Sequence, residues 1–301
     1  MKDKNCSLCH SLTEIKSHLH ELAILTECFY GNHRSNFLAM NQWLTLSSTL
    51  DNVEINPYLH DRSSLSIMCR PHYEALESDR KYFSAYTTEL TRLFFVCNAL
   101  EEVYRFVSTF FTNELNTSFK NPVRDNSMKC LILFDKIEER HLPKHFEHYN
   151  QNLCTLFERY TSLYNKKVNN KLSYPKEHRC YALNIIRNIR NDIAHGVIPI
   201  NLNPEYGFTG DNWKTLYFLI QRATRTILLY IQAFLSKYGN NFDMEEYYER
   251  VGYIYWLESK DIRNECTESV EVSEPADLSA LLSELHLKSG FGYYRFIDSS
   301  Y

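Results

Sequence analysis

Long helices are what this sequence permits most readily, because it seldom punctuates itself: 301 residues carry only eight glycines and eight prolines. Apolar residues recur at helical spacing over extended runs. In "LTRLFFVCNALEEVYRFVSTFF", Leu93, Cys97, Leu100, Tyr104, Val107 and Phe111 follow at intervals of three and four. The same reading predicts helices over 11–30 (stopped by Gly31), 33–50, 73–115 and 126–164, the last broken by Pro143. It continues with Glu177 to His195, 212–238 (stopped by Gly239), 243–259 and 277–288. "FGYYRFID" reads as a short strand. The fold class is mainly α. The loop-like, proline-bearing "DNVEINPYLHDRSSLSIMCRPH" divides an N-terminal segment, 1–72, from a helical domain, 73–240. A C-terminal part, 241–301, holds a helix, the acidic linker "ESVEVSEPAD" and a tail.

Charge and cysteine usage narrow the function classes. The net charge is −4 at pH 7, so there is no global basic field, and any nucleic acid would need a local patch. Nine scattered cysteines suit reduced thiols better than a disulfide framework. The N-terminus lacks an apolar signal core. The most apolar stretch, "YFLIQRATRTILLYIQAFL", holds Arg222 and Arg225 in its middle and is too polar to span a membrane. The expectation is a soluble, cytoplasmic protein.

One stretch concentrates polar chemistry on an apolar frame. In "RNIRNDIAHG", Ala182, Ile185, Ile186, Ile189 and Ile193 form one stripe of the wheel, with Arg187, Asn191 and Ala194 opposite and Arg190 at the margin. His195 shares a face with Asn191, four residues earlier. Gly196 fits a left-handed helix stop, and Pro199 prevents continuation. Carbonyl dipoles at that end favour positive charge, and an imidazole there is suited to proton transfer. Arg190 offers a planar fork for a phosphate. Residues five apart on a straight helix diverge by about 140°. Arg190 and His195 therefore meet in one cleft only if the helix end unwinds or a two-fold mate contributes. On the preceding helix Glu101 lies at the edge of the apolar stripe, while Glu102 points away; a half-buried carboxylate wants a cationic partner.

"RNDIAHG" resembles the R-x4-H signature of HEPN domains (higher eukaryotes and prokaryotes nucleotide-binding), with Arg190 and His195 as its ends and Asn191 and Gly196 in their usual places. "NALEEVYRF" is similar to the family helix that carries an acidic residue facing the motif. The resemblance covers roughly residues 75–240, and the layout is similar to Apea-like proteins of anti-phage systems. It implies a HEPN-type helical bundle, with an N-terminal helical extension and a small C-terminal appendage. It also implies a homodimeric endoribonuclease of toxin or defence type that needs neither metal nor cofactor. Arg190 would bind the scissile phosphate and His195 would move the proton of the attacking 2′-hydroxyl. Asn191 would orient the site and Glu101 would hold Arg190. Non-catalytic interaction or nucleotide-binding modules share the same fold. An antitoxin or regulatory protein is a further partner class, although the tyrosine motif that follows the histidine in one toxin branch is absent: Val197 and Ile198 follow Gly196. The bare pattern is weak, since Arg140 and His145 also satisfy it, with Pro143 inside and no glycine after.

Candidate RNA contacts are Arg187, Arg222 and Arg225, with Lys166, Lys167, Lys171 and Lys176 in "YNKKVNNKLSYPKEH" and Tyr164 and Tyr174 as stacking surfaces. Cys6-x2-Cys9 and Cys69-x2-His72 have the residue types and pair spacing of a structural zinc site, across a gap longer than in compact fingers. His141, His145 and His148 recur at helical spacing, but Pro143 interrupts them. No metal is assigned from these. There is no Walker loop, no G-x-G-x-x-G and no G-x-S-x-G, so the signatures of nucleotide and serine hydrolases are missing.

Overall fold

The computed structural model describes residues 6–61, 68–117, 122–164, 174–196, 203, 212–251 and 277–288. These residues fold as a mainly α bundle. Its helices are α1 (Ser7–His10), α2 (Ile15–Glu27), α3 (Arg34–Thr49), α4 (Arg70–Val107), α5 (Asn113–Thr117), α6 (Asn126–Asp135), α7 (Phe146–Leu163), α8 (Tyr181–Ala194), α9 (Asn212–Tyr238), α10 (Met244–Arg250) and α11 (Leu278–Glu284). The expected strand at 291–298 lies outside the described residues, as does most of the expected helix 243–259 beyond α10. Among the described residues no helix is long and apolar enough to cross a membrane.

Local sequence explains the boundaries. Pro71 sits in the first turn of α4, where its missing N–H costs nothing. Asp125, Asp243 and Asp277 cap α6, α10 and α11, accepting from the backbone N–H of Ser127, Glu246 and Ala280 at 3.0, 2.9 and 2.8 Å. After α6 the chain turns through a single 3-10 turn, Glu139–His141, and Pro143 separates it from α7 as the sequence predicts.

α9 is the axis of the bundle. From Ala223 to Leu235 every residue is buried. A helix buried on all sides belongs in a core, and this one is covered by α2, α4, α7, α8 and α11. One hydrophobic core joins the three parts of the chain, running from Leu12, Leu22 and Phe37 through Leu93, Val103 and Ile185 to Leu282 and Leu287. Around the shared core, Ser11–Thr13 lies beside His286–Lys288: the Thr13 N–H donates to the His286 carbonyl at 3.1 Å and the Lys288 N–H to that of Ser11 at 2.7 Å.

The polar atoms that α9 buries are arranged in sequence. Arg225 donates from Nη1 to His18 Nδ1 at 2.8 Å, and His18 Nε2 lies 2.8 Å from Gln232 Oε1. The Gln232 amide donates in turn to the Leu282 carbonyl. Arg225 has no acceptor atom, so His18 must carry its hydrogen on Nε2. Three helices, α2, α9 and α11, are thereby joined through side chains that the core would otherwise exclude.

Candidate functional site

The site is built on α8 by the contacts that fix its start. The Tyr230 hydroxyl accepts from the Leu183 N–H at 3.1 Å and donates to the Arg179 carbonyl at 2.6 Å. One orphan N–H of the first helical turn is thus met from the core helix. Ala182, Ile185, Ile186 and Ile189 are buried as the stripe requires, while Ile193 is only half-buried as the helix leaves the core.

On the margin of that stripe, Arg190 Nη1 is ion-paired to Glu101 Oε1 of α4. This is the carboxylate that the wheel places at the edge of the apolar stripe. Burial raises the Glu101 carboxyl above its ordinary value, and the Arg190 guanidinium opposes that rise. Cys97, one turn before it, is a buried thiol pushed up to about 12, chiefly by desolvation. Glu102 does not point away: it is the more buried carboxylate of the two, and Arg105 pairs with it. On a thick α4 packed from several sides, the wheel's outer face is not solvent.

At the end of α8 the His195 N–H donates to the Asn191 carbonyl and the Gly196 N–H to that of Ile193, both at 3.0 Å. Gly196 has φ +63°, the left-handed stop expected of it. Asn191 and His195 are exposed. The ion-pair partner of Arg190 is Glu101, not His195. The second R-x4-H copy is a different object: Arg140 pairs with Glu138 at 2.9 Å in a turn, and His145 takes φ 61° before α7.

The expected RNA path is only partly there. Arg187 is held by Asp125 Oδ2 at 2.8 Å and by Met128 Sδ at 3.2 Å; Asp125 caps α6 with its other oxygen, so this arginine locks α8 to α6. Arg225 is buried in the network with His18, and burial lowers its guanidinium to about 9. Its side chain is buried at the floor of a cavity and its donors are spent on His18 and the Thr13 carbonyl, which corrects its assignment as an RNA contact. Arg222 is half-buried, with Nη2 3.9 Å from Cys9 Sγ, between two cavities of about 560 and 550 Å³ that neither Arg190 nor His195 lines. Lys176 is ion-paired with Glu158 at 2.5 Å, and Tyr174 stacks on His178 with ring centroids 4.5 Å apart. Lys166, Lys167 and Lys171 lie outside the described residues.

The cysteine–histidine set is also rearranged. His72 Nε2 faces Asp61 Oδ2 at 3.4 Å, and Cys69 is the residue before α4, so neither joins Cys6 and Cys9. His141 bonds to Ser236 Oγ at 3.0 Å. His148 alone of its trio reaches the two cysteines. A partner some 140 residues away in sequence leaves no spacing signature, which is why sequence reasoning missed it. No family model, curated protein or solved structure matches the chain.

Proposed function

We propose that the protein is a HEPN-type endoribonuclease that acts as a homodimer. The observation that carries the reading is the Arg190–Glu101 ion pair between α8 and α4, with the exposed His195 imidazole one turn beyond it. Glu101 fixes the direction of the guanidinium, and part of Arg190 remains exposed to meet a phosphate. His195 takes the proton of an RNA 2′-hydroxyl as its oxygen attacks the adjacent phosphorus. The bond to the 5′-oxygen breaks, that oxygen is protonated, and a 2′,3′-cyclic phosphate remains. Arg190 stabilises the charge that develops on the phosphoryl oxygens. Because Arg190 and His195 diverge along one helix, a two-fold mate is needed to bring an arginine and a histidine to one phosphate. Toxin and anti-phage defence roles, with a regulatory or antitoxin partner, follow the same resemblance. A toxin's cellular effect would then depend on the same two residues.

The test is cleavage of single-stranded RNA by the purified chain without added divalent metal. His195→Ala is expected to lower the rate by about 10²–10⁴-fold and Arg190→Ala by about 10²–10³-fold, with both variants folded and dimeric. Glu101→Gln should retain more activity than Glu101→Ala, and DNA should be inert for want of the attacking hydroxyl. The second reading is a non-catalytic module of the same fold, favoured by the fact that Arg190 is already engaged by a carboxylate. Under it, expression of the wild type and of His195→Ala would have the same cellular effect, and no variant would change RNA turnover.

A further inference from the structure

We propose that Cys6, Cys9 and His148 form a zinc site that fastens the N-terminal segment to α7. Cys6 and Cys9 stand at the two ends of the first turn of α1, and His148 projects from the first turn of α7. His148 Nε2 is 3.4 Å from Cys6 Sγ and 3.7 Å from Cys9 Sγ. All three donor atoms lie within 4.8 Å of one another. A tetrahedral zinc with ordinary Zn–S and Zn–N bonds sets its sulfur and nitrogen ligands about 3.6 Å apart. The two observed separations bracket that value.

The donors converge on one point. An imidazole nitrogen has one lone pair or one hydrogen, yet Nε2 faces two sulfurs and also the Asn152 side-chain amide at 3.1 Å. A cation between the three donors satisfies them together. Asn152 lies one turn along α7 and is also 3.9 Å from Cys9 Sγ. Its amide can donate to the Cys9 thiolate or, turned over, present oxygen to the metal. One further contact, and burial, hold the cysteines in place without the metal. The Tyr149 hydroxyl donates to the Leu8 carbonyl at 2.9 Å, clasping α1 between the two cysteines, and Cys9 is buried.

The donor chemistry selects the ion. Two thiolates and a neutral imidazole cancel the charge of Zn²⁺, and each thiol releases its proton on binding. Among the described residues the cavity beside the cluster is lined by Arg159, Lys214 and Arg222 and by no carboxylate, which disfavours magnesium and calcium. The other gathering of ligand-type residues among those described, Asp135, His178 and Cys180, is already used: His178 pairs with Asp135 at 3.1 Å and Cys180 is a buried thiol.

The experiment is metal analysis of the full chain purified under reducing conditions and dialysed against a low concentration of zinc. About one zinc ion per chain is expected. Cys6→Ser, Cys9→Ser and His148→Ala should lose it, whereas Cys69→Ser and His72→Ala should keep it. Because a cysteine variant can misfold, cobalt is substituted into the wild-type protein. The expected spectrum has thiolate-to-cobalt charge transfer and the visible bands of a tetrahedral ion. Wild-type protein without stoichiometric zinc overturns the proposal, as does a cobalt spectrum without thiolate bands. So does zinc retained after both Cys6 and Cys9 are replaced, or zinc lost with Cys69 or His72. A Cys6–Cys9 disulfide in the protein as isolated, read by mass, also overturns it.

Discussion

Arg187 and Arg190 stand three residues apart on α8, and a different helix answers each: α6 through Asp125 and α4 through Glu101. Arg225, by contrast, has been drawn inside. Its Nη1 meets His18 Nδ1 and its Nη2 donates to the Thr13 carbonyl. Replacing it with methionine keeps much of the volume but leaves two buried acceptors without a donor. We expect Arg225→Met to lower the unfolding free energy by about 1–3 kcal/mol for each orphaned acceptor, read by denaturant titration. RNA affinity of the folded fraction should not change. At this scale the sequence was legible for Glu101, where an apolar stripe and its margin are both visible. It was not legible for Arg225, because a wheel gives the direction of a side chain and not what covers it. His148 is a further case, since its partners Cys6 and Cys9 are fixed only by the tertiary fold.

At the scale of elements, boundaries were read where a residue type dictates them. α9 ends before Gly239 and α8 before Gly196, and Pro143 separates α6 from α7. Where no such residue stands, the spans drift: the helix expected over 73–115 already begins at Arg70 and ends at Val107, with a 3-10 turn after it. Gly196 is the termination nearest the candidate site. Among the described residues a methyl group there would meet nothing within 4 Å, and its φ of +63° is what resists substitution. Gly196→Ala should therefore cost about 1 kcal/mol and Gly196→Asn less, read as melting temperatures of the purified variants. If the stop also positions His195, Gly196→Ala will lower cleavage more than it lowers stability.

For the whole molecule, burial of ionisable groups sets a stability profile with two limbs. Burial, reinforced by the Arg225 charge, holds His18 well below its ordinary value and His286 at about 3. In the unfolded chain both would titrate near about 6.5. Below that pH the unfolded state binds protons that the native state refuses, so stability falls as the solution is acidified. Glu21 acts in the opposite sense: burial raises its carboxyl, so the native state keeps a proton that the unfolded state gives up. Its contribution declines as pH rises above about 4.3. Below about pH 4.3, where Glu21 is protonated in both states, His286→Gln should flatten the acid slope by about 1.4 kcal/mol per pH unit. Above about pH 4.3, Glu21→Gln should remove the loss that this buried carboxyl contributes as pH rises. Denaturant unfolding at a series of pH values reads both.

The pairing of Ser11–Thr13 with His286–Lys288 has a consequence for how the protein comes into being. α2 and α3 emerge early in synthesis, yet the groups that complete the buried polar chain around His18 lie on α9 and α11. Contacts separated by more than 270 residues in sequence close late, after the cost of a long loop has been met. During translation the N-terminal helices therefore pack on each other and on α4 first, and their buried polar groups wait for α9 and α11. A nascent chain stalled before α11 would lack the Leu282 carbonyl that Gln232 meets and the His286 carbonyl that Thr13 meets, and arrival of that segment would close both.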